Sequence, residues 1–572
     1  VAHLWHQELY TARYTEAFTD TALIEEQIGD IGQIDRVIWM KGYVKDGMHV
    51  LAVGPHGGFF ETHILRELPN VRFTFVEATA EGRDKLLERW KPEFGDRLEV
   101  FSTLDCSEWP KGPFDVAEAF EVIEHVPNTA TFIQALEDRI VPEGAILLST
   151  PDVEYWTPDT GAEETTWLGH VTGFTPNIFY RKLRSCGLHV ERMVRSSVGL
   201  LLAACRVREN RAKFVVSIDI LAAGHIPFDA ETHQNKLLGG SEEAVVHLAP
   251  RLADLGYAVR VYTNTGDKDM FAENLRSNLL VKDGVLWEPV ENFRPDAQRT
   301  ALISWRNGTV LDLPLFHKEH SGKKLVWLHD AVLDSATGLA KADAVMCVSV
   351  THEKVMQKMT GAMSDKIKWR HIQNGIDSSF FLPIDESKRD PHRAIYMSSP
   401  DRGLERLLEW WPEIKKIQPK ASLHVYYGFS SARKMAKDQP HLLQTFLEME
   451  ERISQRVSVL QDVFWHDGVS HPELHEALRQ SAAWLYPHHA SDVETSCITA
   501  MKVLASGVWP VTTDSGALRE TCFTGSFCQA DRIDVFEEHH RFVELAAIAL
   551  SGEAFDRNNV LVKATPEFRE NL

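Results

Sequence analysis

The sequence predicts an α/β protein made of three doubly wound units, each a parallel sheet with helices on both faces. Short apolar runs alternate with helical stretches along almost the whole chain, which is the pattern of parallel strands joined by crossover helices. Several of these strands end in polar, glycine-bearing loops that open a helix, the arrangement in which open α/β sheets hold their ligands. The chain has 572 residues, more than a single hydrophobic core organises, so about three or four folding units are expected.

Composition excludes several classes of function. Apolar residues make up 44% and charged residues 25%, ordinary values for a folded chain. Lys and Arg number 61 against 82 Asp and Glu, a net charge of −21, so general nucleic-acid binding through the phosphate backbone is not expected. The seven cysteines contain no CxxC pair, which points away from a disulfide framework or a zinc cluster and fits a reducing cytoplasm. The 26 histidines lack metal-ligand spacing, and no metal site is expected. No apolar run approaches the roughly 20 residues of a transmembrane segment, and the N-terminus, which begins at Val1, has no signal-peptide pattern.

Residues 1–45 read as a helical preamble with Ile24, Ile28, Ile31, Ile34 and Trp39 at helical spacing. Val50–Val53 is then a buried strand, Gly54-Pro55-His56-Gly57-Gly58 a glycine-rich turn and Phe59–Leu68 a helix. The next strand, Phe73–Val76, ends in Glu77, about twenty residues after the turn, the spacing that one βαβ unit needs to place a carboxylate on a ribose. Asp105-Cys106, the strand Phe114–Phe120 and the run Glu121–Pro127 follow. Taken singly these are ordinary features: a tight turn, a solvated strand end, and an acidic first turn in which Glu121, Glu124 and His125 serve the helix. Their order is what points to a nucleoside pocket.

Residues 50–152 resemble the class I S-adenosylmethionine-dependent methyltransferases. The resemblance lies in the glycine-rich loop, Glu77, Asp105, the run EVIEHVPN at 121–128, the strand AILLSTPD at 145–152 and the segment His170–Pro176, and it extends over nearly all of 45–208. It implies a Rossmann-like domain at 1–208 that holds S-adenosylmethionine through Gly54, Gly57, Gly58, Glu77 and Asp105. His125, and after it His170, is the candidate base for a hydroxyl acceptor. The family has an acidic residue where Ala52 stands and a glycine where His56 stands.

After a last strand at Leu200–Cys205 the chain is dense in charge, and 209–213 reads as a linker. Apolar alternation restarts at Phe214 and, past a polar loop at 224–236, reaches Leu238-Gly239-Gly240-Ser241-Glu242-Glu243. Ser241 reads as the N-cap of a helix that contains Pro250 and stops at Gly256. Two glycines before a helix N-terminus suit a diphosphate, or simply make a tight turn. Strands follow at 260–263, 301–306, 324–330 and 344–349, then Gln373–Asp377 with Phe380 and Phe381 behind it. The third unit opens with the strand Arg393–Met397 and the turn Ser398–Gly403, where Arg402 beside a glycine suits a phosphate. Phe464–Gly468 reads as a strand end and turn rather than a metal site. The apolar strand at Trp484 runs into a polar loop carrying Glu494, a helix capped by Thr495 or Ser496, a stop at Gly507 and a further strand.

Residues 214–545 are similar to retaining glycosyltransferases of the GT-B fold, family 4 in particular. The matching phrases are 238–257, WLHD at 327–330, QNGID at 373–377, SSPDRGLERLL at 398–408 and 494–521. The similarity implies two Rossmann-like lobes, an acceptor lobe at 214–388 and a nucleotide-sugar lobe with C-terminal helices at 389–572. Gly239 and Gly240 would approach the donor diphosphate, Arg402 a phosphate, Glu494 the donor sugar, and His329 the transferred sugar. The family's second glutamate is replaced by Lys502, which has donors only. Either Lys502 meets a phosphate or Glu520 supplies the missing acceptor. The chain then reads as a methyltransferase fused to a glycosyltransferase that uses a UDP-, GDP- or ADP-sugar and a glycan or small-molecule acceptor. Two alternatives stand beside it: a glycosyltransferase with a scaffold methyltransferase domain, and a non-catalytic carbohydrate- or nucleotide-binding protein.

Overall fold

The structure is a computed structural model and describes residues 31–156, 172–196, 198–207, 216–224, 228–229, 238–264, 279–295, 299–313, 322–377, 380, 386–429, 440–466, 468–491 and 493–552. His170, Phe381, the linker 209–213 and most of the polar loop 224–236 lie outside them. The chain clusters into two compact units, one drawn from 1–217, 252–260 and 267–288, the other from 218–251, 261–266 and 289–572. Among the described residues no helix is long and apolar enough to cross a membrane, and all seven cysteines are free.

The first unit is built on β1 (His49–Val53), β2 (Arg72–Glu77), β3 (Leu98–Ser102), β4 (Phe114–Phe120), β5 (Ile140–Pro151), β6 (Leu188–Arg195) and β7 (Leu200–Val207). Their order is β6-β7-β5-β4-β1-β2-β3. Strands β1 to β5 run parallel, and β7 lies antiparallel between β5 and β6. Side chains alternate between two covered faces. Leu51, Val53, Ala117 and Ala119 pack with Phe132 and Leu183. Val50, Ala52, Phe73, Phe75 and Val116 pack with Ile64, Leu65 and Trp90. A sheet buried on both sides leaves no polar alternation, which is why its strands read as apolar runs. The strand order reverses between β1 and β4, so the loops after these two strands diverge and leave a crevice.

Part of the expected second unit belongs to this first one. A hairpin of Leu279–Lys282 and Val285–Pro289 adds antiparallel to β6. The buried Tyr180 hydroxyl fastens it, donating to Gly284 O at 2.6 Å and accepting from Val259 N at 3.1 Å.

The second unit carries two parallel sheets. In the first, Trp369–His371, Ala344–Cys347, Lys323–Leu328, Ala301–Trp305 and Ser217–Ala222 lie side by side in that order. In the second the order is Val463–Trp465, Ser422–Val425, Arg393–Tyr396, Ala483–Tyr486, Trp509–Thr513, Ser526–Cys528, all parallel. The order of this sheet reverses between Arg393–Tyr396 and Ala483–Tyr486, and the loops bearing Arg402 and Glu494 follow those two strands. Trp411, Trp484, Tyr396 and Tyr486, all at 0% exposure, fill its core.

Two helix starts differ from expectation. The helix after Glu494 spans Ile498–Ala505 with Cys497 at its N-cap and no side-chain cap. Thr495 is unavailable as a cap because its hydroxyl donates to His329 O at 2.6 Å. The helix at the glycine pair spans Gly240–Asp254, so Ser241 lies inside it, with its hydroxyl donating to Glu242 Oε2. The stop at Gly507 stands as expected, its N–H bonded to Leu504 O.

Replacing Tyr180 with Phe strands a buried carbonyl and a buried N–H in the first unit. Tyr180→Phe is expected to lower stability by about 1–3 kcal/mol, read as a drop in the urea midpoint of the full chain. An unchanged midpoint would show that the hairpin docks without this hydroxyl.

Candidate functional site

In the first unit the predicted residues gather at the carboxyl ends of adjacent strands. Gly54 follows β1 with φ 68°, and its N–H bonds to Val76 O on β2. A Cβ at Gly54 would lie 2.7 Å from Val122 Cγ2, so the loop after β4 passes too close for any side chain. His56, in the same turn, holds φ 52° with a side chain attached. That left-handed conformation costs a non-glycine residue about 1–2 kcal/mol. Gly58 caps the helix Phe59–Glu67.

Glu77 ends β2 at 1% exposure. Its Oε1 accepts from Ala78 N at 2.8 Å, its Oε2 is enclosed without a hydrogen-bond partner, and burial raises its pKa to about 7. Asp105 follows β3 and is exposed. Its Oδ1 accepts from Ser107 N and Oγ at 2.8 and 2.7 Å, and those bonds hold its carboxyl below the usual range. His125 is half-buried in the short turn Ile123–His125 after β4.

The buried carboxyls of this unit include Glu61, Glu118 and Glu124, of which only Glu124 was singled out from the sequence. Glu118 on β4 is the register partner of Ala52 on β1 and packs against Glu61 on the helix that follows the glycine turn. The two carboxyls face each other with neither Glu61 oxygen hydrogen-bonded, and neighbouring carboxyls so deeply buried favour a retained proton. Burial raises Glu61 to about 7; burial, then the neighbouring Glu61, drives Glu118 well above the usual range. Burial likewise brings Glu124 to about 7, with the Thr150 hydroxyl beside it. Arg36 pairs with Glu121 and supplies the positive charge that faces all three.

In the second unit a cavity of about 350 Å³ is lined by Gly239, Gly240, Glu242, Glu243, Arg306, His329, Asp330, Asn374, Ser399, Arg402, Tyr427, His471, Glu494 and Lys502, among others. Six predicted residues, Gly239, Gly240, His329, Arg402, Glu494 and Lys502, therefore meet in one place. Gly403 makes the loop at Arg402 possible: φ is 100°, and a Cβ there would sit 2.5 Å from Pro487 O. Arg402 donates to Glu494 Oε2 at 3.3 Å, and the Tyr486 hydroxyl reaches the same oxygen at 3.3 Å. The Glu494 carbonyl accepts from Ala517 N at 2.7 Å. His329 is 5% exposed. Burial, then the charges of Arg306 and His352, drives its pKa well below the usual range, so it is neutral at pH 7, and its Nε2 has no hydrogen-bond partner.

Two expected residues behave otherwise. Lys502 Nζ bonds to Glu243 Oε2 at 2.6 Å, with both side chains about 95% buried and His471 Nε2 3.8 Å from the same oxygen. Burial alone would push Glu243 up; Lys502, then His471, outweigh it and hold the carboxyl below its usual range. Glu520 lies outside the cavity lining. Its carboxylate caps the helix Val350–Thr360, accepting from Val350 N and Thr351 N at 2.8 Å and from the Thr351 hydroxyl. Glu243, His247 and His471 bring three possible metal-ligand atoms within 4.8 Å of one another, but an ammonium already neutralises the carboxylate. Sequence reasoning missed Glu243 as a site residue. Its only signal was the acidic pair directly after the glycines.

The raised carboxyls of the first unit set a pH dependence. In the folded unit Glu61, Glu77 and Glu124 hold their protons to about pH 7, against 4.5 as the ordinary value. Each therefore opposes folding increasingly as pH rises from 4.5 to 7, and stability grows as pH falls through that window. Glu124→Gln is expected to exceed the wild type by on the order of 2 kcal/mol at pH 8 and by little at pH 5. Chemical denaturation at the two pH values measures this; an equal difference at both would refute it.

Residues 34–192 match the family described as "Methyltransferase domain". A curated relative, the ubiquinone biosynthesis O-methyltransferase of Azotobacter vinelandii, is 34% identical over 121 residues, which is 20% of this chain and 50% of that protein. The chain thus spans half the length of this relative. Solved structures that align include a SAM-dependent methyltransferase from Aquifex aeolicus, with 15% identity, 32% of this chain, 96% of that one and a TM-score of 0.27. The mitomycin 7-O-methyltransferase MmcR aligns with 16% identity over 34% of this chain and 60% of its own, with a TM-score of 0.28. Residues 34–192, which hold the parallel sheet and the glycine turn, are thus the part of the chain that matches a methyltransferase domain.

Proposed function

We propose that the chain is a bifunctional transferase: a methyltransferase at 1–208 that uses S-adenosylmethionine, and a GT-B glycosyltransferase with an acceptor lobe at 214–388 and a nucleotide-sugar lobe at 389–572. The observation that carries the sugar-transfer half is the cavity of the second unit, where the glycine pair, His329, Arg402 and Glu494 converge from distant parts of the sequence. There the helix N-terminus at Gly239–Gly240 and Arg402 meet the charge of a departing diphosphate. Glu494, held by Arg402 and Tyr486, orients the donor sugar. His329, being neutral, gives or takes a hydrogen bond at a sugar hydroxyl and adds no charge. Substitution at the anomeric carbon with retention is the reaction this reading assigns.

For the methyl half, the enclosed Glu77 Oε2 beside the glycine turn fits a ligand diol, and Asp105 lies at the next strand end. When bound, S-adenosylmethionine supplies an electrophilic methyl group. Gly54, Gly57 and Gly58 let the backbone approach it, and His125 takes the proton from a hydroxyl acceptor. Ala52 lacks the carboxylate typical of that position, and its register partner Glu118 brings one to the neighbouring strand. A second reading, in which this domain is a scaffold for the glycosyltransferase, draws on His56 and its left-handed backbone in the turn.

Calorimetric titration of the full chain with S-adenosylmethionine and with UDP-, GDP- and ADP-sugars tests both halves. The methyl donor is expected to bind, and one sugar nucleotide to bind and hydrolyse slowly, with Glu494→Ala lowering that hydrolysis roughly 100-fold. Failure of the methyl donor to bind removes the methyl half. No hydrolysis of any sugar nucleotide removes the glycosyl half.

A further inference from the structure

The Glu243–Lys502 bond joins the helix Gly240–Asp254, which follows the first sheet's opening strand, to the helix Ile498–Ala505 of the second sheet. Lys502 uses one donor on Glu243 Oε2 and faces the Phe380 ring at 5.3 Å. Glu243 Oε1 is enclosed, lines the cavity through its residue and has no hydrogen-bond partner; His247 Nε2, at 3.7 Å, is beyond hydrogen-bond length. An ionised, buried oxygen without a donor is costly, and only an O–H or N–H can relieve it. Arg306 and Arg402 line the same cavity as donors and Glu494 as a second carboxylate, so the lining suits a ligand that bears both anionic groups and hydroxyls.

Position narrows which hydroxyls these are. Glu243 lies three residues into the helix that begins at Gly240, roughly 4.5 Å along its axis at 1.5 Å per residue. A diphosphate at that helix N-terminus carries a ring on each side, one of them the transferred sugar and the other the nucleoside ribose. Glu494 is already bound to Arg402 and Tyr486 and takes the donor sugar in the proposed function. The second ring falls to the other carboxylate. Resting on the nucleotide-sugar reading above, we propose that Glu243, aimed by Lys502, accepts the ribose hydroxyls of the donor nucleotide, so that the ribose is read from the wall opposite Glu494.

The test uses the full chain and whichever of UDP, GDP and ADP binds it, each compared with its 2′,3′-dideoxy counterpart. Wild type is expected to bind the ribonucleotide about 10- to 100-fold more tightly than the dideoxy form, as for a hydrogen bond to a charged group. Glu243→Gln should shrink that ratio to about twofold, mostly by weakening the ribonucleotide. If this variant unfolds because Lys502 is left unpaired, the double variant Glu243→Gln with Lys502→Met removes both charges and answers the same question. A wild-type ratio of twofold or less overturns the proposal without any variant. So does a variant that melts earlier yet keeps the wild-type ratio, since the ion pair would then be only a clasp between helices. Both outcomes leave the nucleotide-sugar reading standing; binding of none of the three nucleotides overturns that reading as well.

Discussion

Much of the second unit depends on one buried ion pair. Glu243 and Lys502 are each about 5% exposed, and their 2.6 Å contact links two helices whose N-terminal ends both face the cavity. Charges so deeply enclosed are tolerated only when paired, and breaking such a pair by removing one member costs about 3–5 kcal/mol. The pair does not act alone. Thr495 bonds to His329 O, Ser349 to Thr495 O, and Glu520 to the start of the helix Val350–Thr360. Each of these contacts ties one sheet's loops to the other's, so the cavity walls are set before any ligand arrives.

Glu61, Glu118 and Glu124 of the first unit are handled differently from the carboxylates that line the cavity of the second. In the second unit four of the carboxylates that line the cavity have a cation: Glu494 has Arg402, Glu243 has Lys502, and Glu242 and Asp330 share Arg306. In the first, Glu61, Glu118 and Glu124 face only Arg36, which already pairs with Glu121. Desolvation there is met by retaining protons instead of by ion pairing. Carboxyls held in this way titrate nearer neutrality than exposed ones, so the net charge of this cluster changes around pH 7.

The sequence made the sheets legible because parallel strands covered on both faces are written as unbroken apolar runs. Phe114–Phe120 appears as a strand with the expected bounds, and β1 and β2 gain only one or two residues. The loops at the strand-order reversals were legible for the same reason, since glycine and a lone carboxylate stand out between apolar runs. Helix starts were not. Whether Thr495 caps a helix or bonds to a carbonyl 166 residues away is decided by the partner, not by local chemistry. The Glu243–Lys502 bond spans 259 residues, and nothing near either residue announces the other. The return of 252–260 and 279–288 to the first unit is equally non-local, resting on a free edge at β6 and the hydroxyl of Tyr180.

Lys502 shows why a single-position comparison misleads. Read alone, a lysine in place of a carboxylate reverses the charge and deletes an acceptor. In the folded unit the charge is cancelled by a carboxylate from the facing helix, which leaves one acceptor oxygen near the site of the loss. The exchange has a mechanical consequence. On the proposed nucleotide-sugar reading, with Glu494 on one wall and Glu243 on the other, recognition would draw on both walls together. Because the ion pair and the Thr495 and Ser349 bonds already hold those walls in place, a ligand would meet a preformed cavity rather than one it has to close.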